Sequence, residues 1–291
     1  MGVWGSGLYS GDFAADLRAA VAAVSRLPFE GDKLAEILSG IEAGAANNPN
    51  DEDHTTFWLI LADQFAKRGI PSKVIRDKAL EIIDTSADLA MLEKLGMKPA
   101  DLKKRQAVLT ALRSRIAAPF AEKRRPVLRK PQAFVMEAGD VLVYPTSKGH
   151  CINSYFPSKE RMIPKWAQDG WSATVIVETE RAFDFLAWYR PATVENALPS
   201  KPELKDIHSA SPWFLRRPGT CSPTHFKRME LEKIGSLKVD ASRLKALFPN
   251  LRPGTSKAIN DVSIANELSV RPYVSKWEIT SSIAKLEAIL S

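Results

Sequence analysis

Four histidines and two cysteines are the side chains in this 291-residue sequence best suited to metal binding or nucleophilic catalysis: His54, His150, His208, His225, Cys151 and Cys221. Zinc needs several nitrogen and sulfur ligands at short spacing. The nearest approaches are the adjacent His150-Cys151 and the Cys221-x-x-x-His225 pair, both incomplete as ligand sets. They read as ordinary strand or turn residues, and no metal is expected. A thiol hydrolase also needs a group that orients its imidazole, and a serine hydrolase of the common type needs a Gly-x-Ser-x-Gly elbow. The sequence offers neither, so a hydrolase using Cys221 with His225 or His150 is an alternative that requires those side chains to converge in a pocket. His54 sits beside Asp51, Glu52 and Asp53 at a predicted helix start, where acids complement the positive end of the dipole.

Gly5-Ser6-Gly7 and Gly254-Thr255-Ser256-Lys257 invite comparison with phosphate loops, but neither has the Walker order of glycines, lysine and hydroxyl. A dinucleotide loop must follow a strand, and four residues before Gly5 leave no room for one. With no set of residues supplying the roles of an active site, the chain reads as non-enzymatic, without catalytic residues or cofactor.

Binding chemistry is better represented. The net charge is +7, yet between Lys98 and Pro131 eleven Lys and Arg residues face only Asp101 and Glu122, an excess of nine. The remainder of the chain is therefore slightly acidic, and the basic character is local. Lys103, Lys104, Arg105, Arg113, Lys123, Arg124, Arg125, Arg129 and Lys130 are the candidate contacts to nucleic-acid phosphates, a reading that requires them on one surface. A solvated face, or a contact for an acidic protein, is the competing reading. Trp166, Trp213, Phe214, Arg216 and Arg217 combine aromatics with guanidinium groups, the types favoured at the centre of protein interfaces, and form a candidate partner-binding set.

These residues must be positioned by two kinds of element. Apolar residues at helical spacing predict helices starting near Asp12, Asp32, the 51–53 acids and Ser72, a short segment through Leu89, Leu92 and Leu95, and a long helix over residues 99–116. Residues 45–50 read as a polar loop. Six helical segments with short connections predict a compact bundle over residues 1–118. Pro119, Pro126 and Pro131, interleaved with basic residues, make residues 119–132 a stiff connector. Beyond it, period-two patterns predict strands at 134–136, 141–144, 171–177 and 182–189, the last two as a hairpin turning at 178–181. Residues 191–223 read as surface loop, 226–234 as another strand and 280–290 as a final amphipathic helix. The fold class is α+β: a helical bundle followed, over 133–291, by a barrel-like or curled antiparallel sheet.

The length favours two domains, and no apolar run is long enough to cross a bilayer. The first residues lack the basic and apolar regions of a secretory signal, and two cysteines make no disulfide framework, so a cytoplasmic protein with free thiols is expected.

The opening Met1-Gly2-Val3-Trp4-Gly5-Ser6-Gly7, with Asp12, Ala15 and Asp16, resembles the Met-Gly-x-Trp-Gly-x-Gly start of a bacterial family catalogued as a domain of unknown function. The run 57–65, Lys67-Arg68-Gly69 and residues 79–84 look like the continuation in its longer members, which lead into a Gly-Asp-Val strand, here Gly139-Asp140-Val141. That strand is also similar to the opening of the barrel in a polymorphic-toxin immunity family. The resemblances imply an uncharacterised interaction protein, an immunity or defence accessory factor binding a protein partner, and supply no catalytic residues. Nucleic-acid binding through the basic stretch is the alternative; no membrane partner is expected.

Overall fold

A computed structural model describes residues 5–118, 125–154, 158–162, 165–207, 212–249, 264–268, 282–283 and 285–291. The chain divides into two compact units, Met1–Arg129 and Lys130–Ser291, with the division inside the basic connector.

The first unit is helical: α1 (Asp12–Val24), α2 (Gly31–Ile41), α3 (Ala43–Asn47), α4 (His54–Arg68), α5 (Lys73–Asp84), α6 (Ala87–Lys94) and α7 (Pro99–Ala117). Helix α4 is buried along Phe57 to Phe65 because α1, α3, α5 and α7 all pack against it, which is why its sequence is apolar on nearly every side. It ends at Gly69, whose φ of 65° lets the Ile70 amide reach back to the Phe65 carbonyl at 3.0 Å. Ser72 caps α5 as expected, accepting from the Ile75 amide at 3.3 Å, and its hydroxyl donates to Asp32 at 2.6 Å. Asp32 is therefore not the cap of α2, which starts after Glu30. Asp12 is likewise the first residue of α1 rather than its cap, which is Gly11. The polar loop expected from residue 45 is partly helix, since α3 buries Ala45 and Ala46 against the bundle.

The second unit is built on an antiparallel sheet of β1 (Asp140–Thr146), β2 (Gly170–Ala182), β3 (Leu186–Val194), β4 (Trp213–Leu215), β5 (Gly219–Thr220), β6 (Glu232–Ser236) and β7 (Ser282–Ile283). The order is β6-β1-β2-β3-β4-β7, with β5 also on β3, and the ends do not pair: the sheet is open rather than a closed barrel. Both faces are covered. Val141, Val143, Val175 and Trp213 lie in one apolar cluster with Ile207 of α8 (Leu204–Ile207) and Leu244 of α10 (Ala241–Leu247). Leu142, Tyr144, Ile176 and Tyr189 lie in the other with Met229 and Leu231, which follow α9 (Pro223–Arg228).

Several expectations for this half are corrected. Residues 134–136 form no strand; Met136 is buried and the Val135 amide donates to the Tyr189 hydroxyl at 2.9 Å. The β2–β3 hairpin turns at Phe183 and Asp184, both at positive φ, not at 178–181. Polar residues there do not end the strand: Glu178 to Ala182 keep pairing with β3, and Glu178 to Arg181 simply face solvent more. A register shift between Ile176 and Glu178 places Glu178 opposite Arg190, and the two form an ion pair at 2.8 Å. Residues 191–223 contain the rest of β3 together with α8, β4 and β5, and β4 is fully buried because it pairs with both β3 and β7. The strand expected at 226–234 is α9 followed by β6, capped at its start by Ser222. At the C-terminus Ile283, Leu286 and Leu290 are buried, but from β7 and a 3-10 turn over Leu286–Ile289 instead of a helix; residues 280, 281 and 284 lie outside the described ones.

Candidate anion-binding site

The glycine-rich start of the first unit carries Tyr9 to the middle of α4. Its hydroxyl donates to Oδ2 of Asp63 and accepts from Nε2 of Gln64. Asp63 and Gln64 are two polar residues in the otherwise apolar buried stretch of α4, and a buried carboxylate requires partners. Asp63 has them: Lys67 Nζ at 2.6 Å on the same helix and Arg115 from α7. Gln64 completes its amide by accepting, through Oε1, from Arg68. Arg18 of α1 stands over the Tyr9 ring with its guanidinium carbon 5.7 Å from the centroid, and Lys67 lies 5.2 Å from the same point.

Four cationic side chains, Arg18, Lys67, Arg68 and Arg115, thus meet at one tyrosine and one carboxylate, leaving three positive charges over. Burial, with the carboxylate of Asp63 accepting its proton, raises the Tyr9 phenol well above its usual range, so it stays a neutral donor. Burial lowers the Arg68 guanidinium from its ordinary value, and the charge of Arg18 pushes the same way, against Tyr9 and Asp63. Lys67 and Arg115 remain about half exposed, and Arg18 is exposed, so the cationic side is open to solvent. Beneath the glycine loop, Arg105 Nη1 donates to the Gly7 carbonyl at 2.9 Å while its Nε and Nη2 grip Asp88 at 2.8 and 3.0 Å, and the Thr55 hydroxyl donates to Asp88 as well. This buried fork fixes the loop that presents Tyr9.

The residues assigned from sequence to a nucleic-acid face have differing surroundings. Arg105 is buried in that fork. Arg113 is held by Asp84 at 2.7 and 3.2 Å, and Lys104 by Asp101 at 2.9 Å. Arg125 spends its guanidinium on the Ser25, Leu27 and Phe29 carbonyls after α1. Lys103, Arg129 and Lys130 are exposed, and Lys123 and Arg124 lie outside the described residues. A shallow depression of about 440 Å³ beside Ser86, Leu89 and Leu102 holds Lys103 and Glu93 as its charged residues and no catalytic grouping.

The aromatic set of the second unit is also redistributed. Trp213 and Phe214 are core residues of β4, at 0% and 1% exposure, and Arg216 is buried beside the Phe214 ring, so none of the three offers a docking surface. Arg217 is exposed, its backbone amide on Glu267 Oε2 at 3.3 Å. Trp166 is half-buried under Lys159, 5.2 Å above its ring, with its indole N–H enclosed and without a hydrogen-bond partner among the described residues.

Cys151 and Cys221 are free and buried among apolar side chains, which raises both thiols, Cys221 to about 12. Each sulfur contacts the carbonyl of its following residue, and such thiols are poor nucleophiles. Burial, with Arg228 nearby, lowers His225, whose amide caps on the Ser222 hydroxyl. His54 binds the Ala45 carbonyl through Nδ1 at 2.7 Å. His208 lies outside the described residues, and among the described ones no three His, Cys, Asp or Glu side chains gather as metal ligands do. No helix among them is long and apolar enough to cross a membrane.

The Tyr9 cluster was missed from sequence because its members are spread over residues 9 to 115. The available signal was the polar pair Asp63-Gln64 inside the apolar run of α4. No family model matches the chain, and neither a curated protein nor a solved structure matches it.

Proposed function

We propose that the protein is a non-enzymatic interaction protein whose helical unit docks an acidic segment of a partner protein at the Tyr9 cluster. The observation that carries this reading is the convergence of four cations on one short stretch holding a single carboxylate: Lys67 and Arg115 on Asp63, Arg68 on Gln64 and Arg18 over the Tyr9 ring. Like charges held together at a half-exposed place repel one another, and an anionic partner relieves that repulsion and is steered toward it. The resemblance at Gly139 to Val141 supports placing it among immunity or defence accessory factors, and the free thiols accord with a cytoplasmic location.

Fluorescence anisotropy with labelled poly-glutamate tests this. Binding that weakens as salt rises, and that falls about tenfold in Arg18→Gln, a loss of about 1.4 kcal/mol, is the expected result. Arg18 is exposed and touches only the Tyr9 ring in the described contacts, so this variant keeps the fold. Poly-glutamate binding indifferent to Arg18→Gln overturns the reading, and tighter, salt-steep binding of duplex DNA returns the chain to the nucleic-acid alternative.

A further inference from the structure

We infer that the anion recognised at the Tyr9 cluster is a phosphate monoester dianion carried on a polypeptide, rather than a carboxylate; this rests on the reading that the cluster docks an acidic partner segment. The neutral donors there are already committed. The Tyr9 hydroxyl donates its hydrogen bond to Asp63, and the Gln64 amide nitrogen is on Tyr9. What remains for a ligand is guanidinium and ammonium. Arg18 and Arg68 have no carboxylate partner among the described residues, and Arg115 shares Asp63 with Lys67 while staying half exposed.

Charge decides between the anion types. With three positive charges over, a carboxylate leaves two uncompensated, whereas a dianion leaves one. Geometry points the same way. Guanidinium groups are planar forks that take two oxygens each, and three of them, Arg18, Arg68 and Arg115, approach from α1, α4 and α7. A tetrahedral phosphoryl group presents three oxygens in different directions and can engage forks from three elements at once, whereas a planar carboxylate presents two in one plane. Phosphoserine carries close to two charges at neutral pH, with its second ionisation near pH ~6.

The experiment compares two labelled acidic peptides of identical sequence, one bearing phosphoserine and the other glutamate at the same position, by anisotropy at constant ionic strength. The phosphoserine peptide is expected to bind about tenfold tighter at neutral pH, and the advantage to shrink as pH falls through ~6. Arg18→Gln, and independently Arg68→Gln, should abolish most of that advantage while circular dichroism and thermal unfolding report an intact fold. Competition by inorganic phosphate measures the phosphoryl group apart from its peptide. Equal affinity for the two peptides overturns the phosphate assignment and leaves the acidic-partner reading standing. Binding of neither peptide overturns both. An advantage retained in both variants, or a phosphodiester oligonucleotide bound as tightly as the phosphopeptide, overturns the assignment of a monoester dianion to these residues.

Discussion

The hydroxyl of Tyr9 donates to Oδ2 of Asp63 across 54 positions of sequence. This bond joins a glycine-rich loop to the most buried helix of its unit and places an aromatic ring under Arg18 and Lys67. Removing the hydroxyl leaves Asp63 with Lys67 and Arg115, and orphans one donor of Gln64. Tyr9→Phe should therefore lower stability by about 1 kcal/mol, the ordinary worth of a side-chain hydrogen bond. Urea unfolding checks this, and an unchanged midpoint would show that the loop is held by other contacts.

A second prediction concerns the buried fork of Arg105 and Asp88. Breaking such a pair strands a charge, so Asp88→Ala should cost about 3–5 kcal/mol. Replacing both partners by apolar residues of similar size, Asp88→Leu with Arg105→Met, should cost less than the single change because neither charge is stranded. Losses in the double variant that equal the sum of the two singles would contradict this account.

Two glycines of α2 separate close approach from mere flexibility. A Cβ on Gly31 would lie 1.8 Å from the Pro71 carbonyl oxygen, whereas one on Gly40 meets nothing within 4 Å. Gly31→Ala should prevent the start of α2 from packing and leave the helical unit poorly folded. Gly40→Ala should stabilise it by about 0.5–1 kcal/mol through helix propensity. Circular dichroism melts of the two variants give the comparison, and similar effects at both positions would refute it.

The pH dependence of the second unit follows from His225. Burial, then Arg228, lowers its folded value below 6.5, so the unfolded chain binds the proton first. Its contribution to stability is full above the unfolded value and is lost as pH falls from there toward the lowered folded one. Between about pH 7.5 and about pH 5.5 the wild type should lose more stability than His225→Gln, the difference isolating this group from carboxylates that titrate lower. Parallel losses in the two proteins would place the acid sensitivity elsewhere.

Helices were the more legible half. The stripes Phe13, Leu17, Val21 and Ile75, Ala79, Ile82 are buried as their spacing implies, because a 3.6-residue period is a local property of the chain. The Ser72 cap was readable for the same reason. Strand edges were less so. Residues 178–181 look like a turn in isolation and Trp213 looks like a surface aromatic, yet pairing with β3 keeps the first extended and pairing with β3 and β7 buries the second.

Charge shows the division most clearly. The sequence by itself determined that the chain has an excess of cations concentrated near residues 98–130, that it alternates from helix-spaced to strand-spaced patterns near the proline-rich connector, and that its glycine-rich start contains a tyrosine. Only the tertiary structure decided which cations are spent. Arg105, Arg113 and Arg125 are held by Asp88, Asp84 and backbone carbonyls, while Arg18, Lys67, Arg68 and Arg115 gather around Tyr9, Asp63 and Gln64. Electrostatic pairing acts through space over a few ångströms, and the chain separates Tyr9, Arg18 and Arg115 from Asp63 by tens of residues, so no local pattern records their meeting.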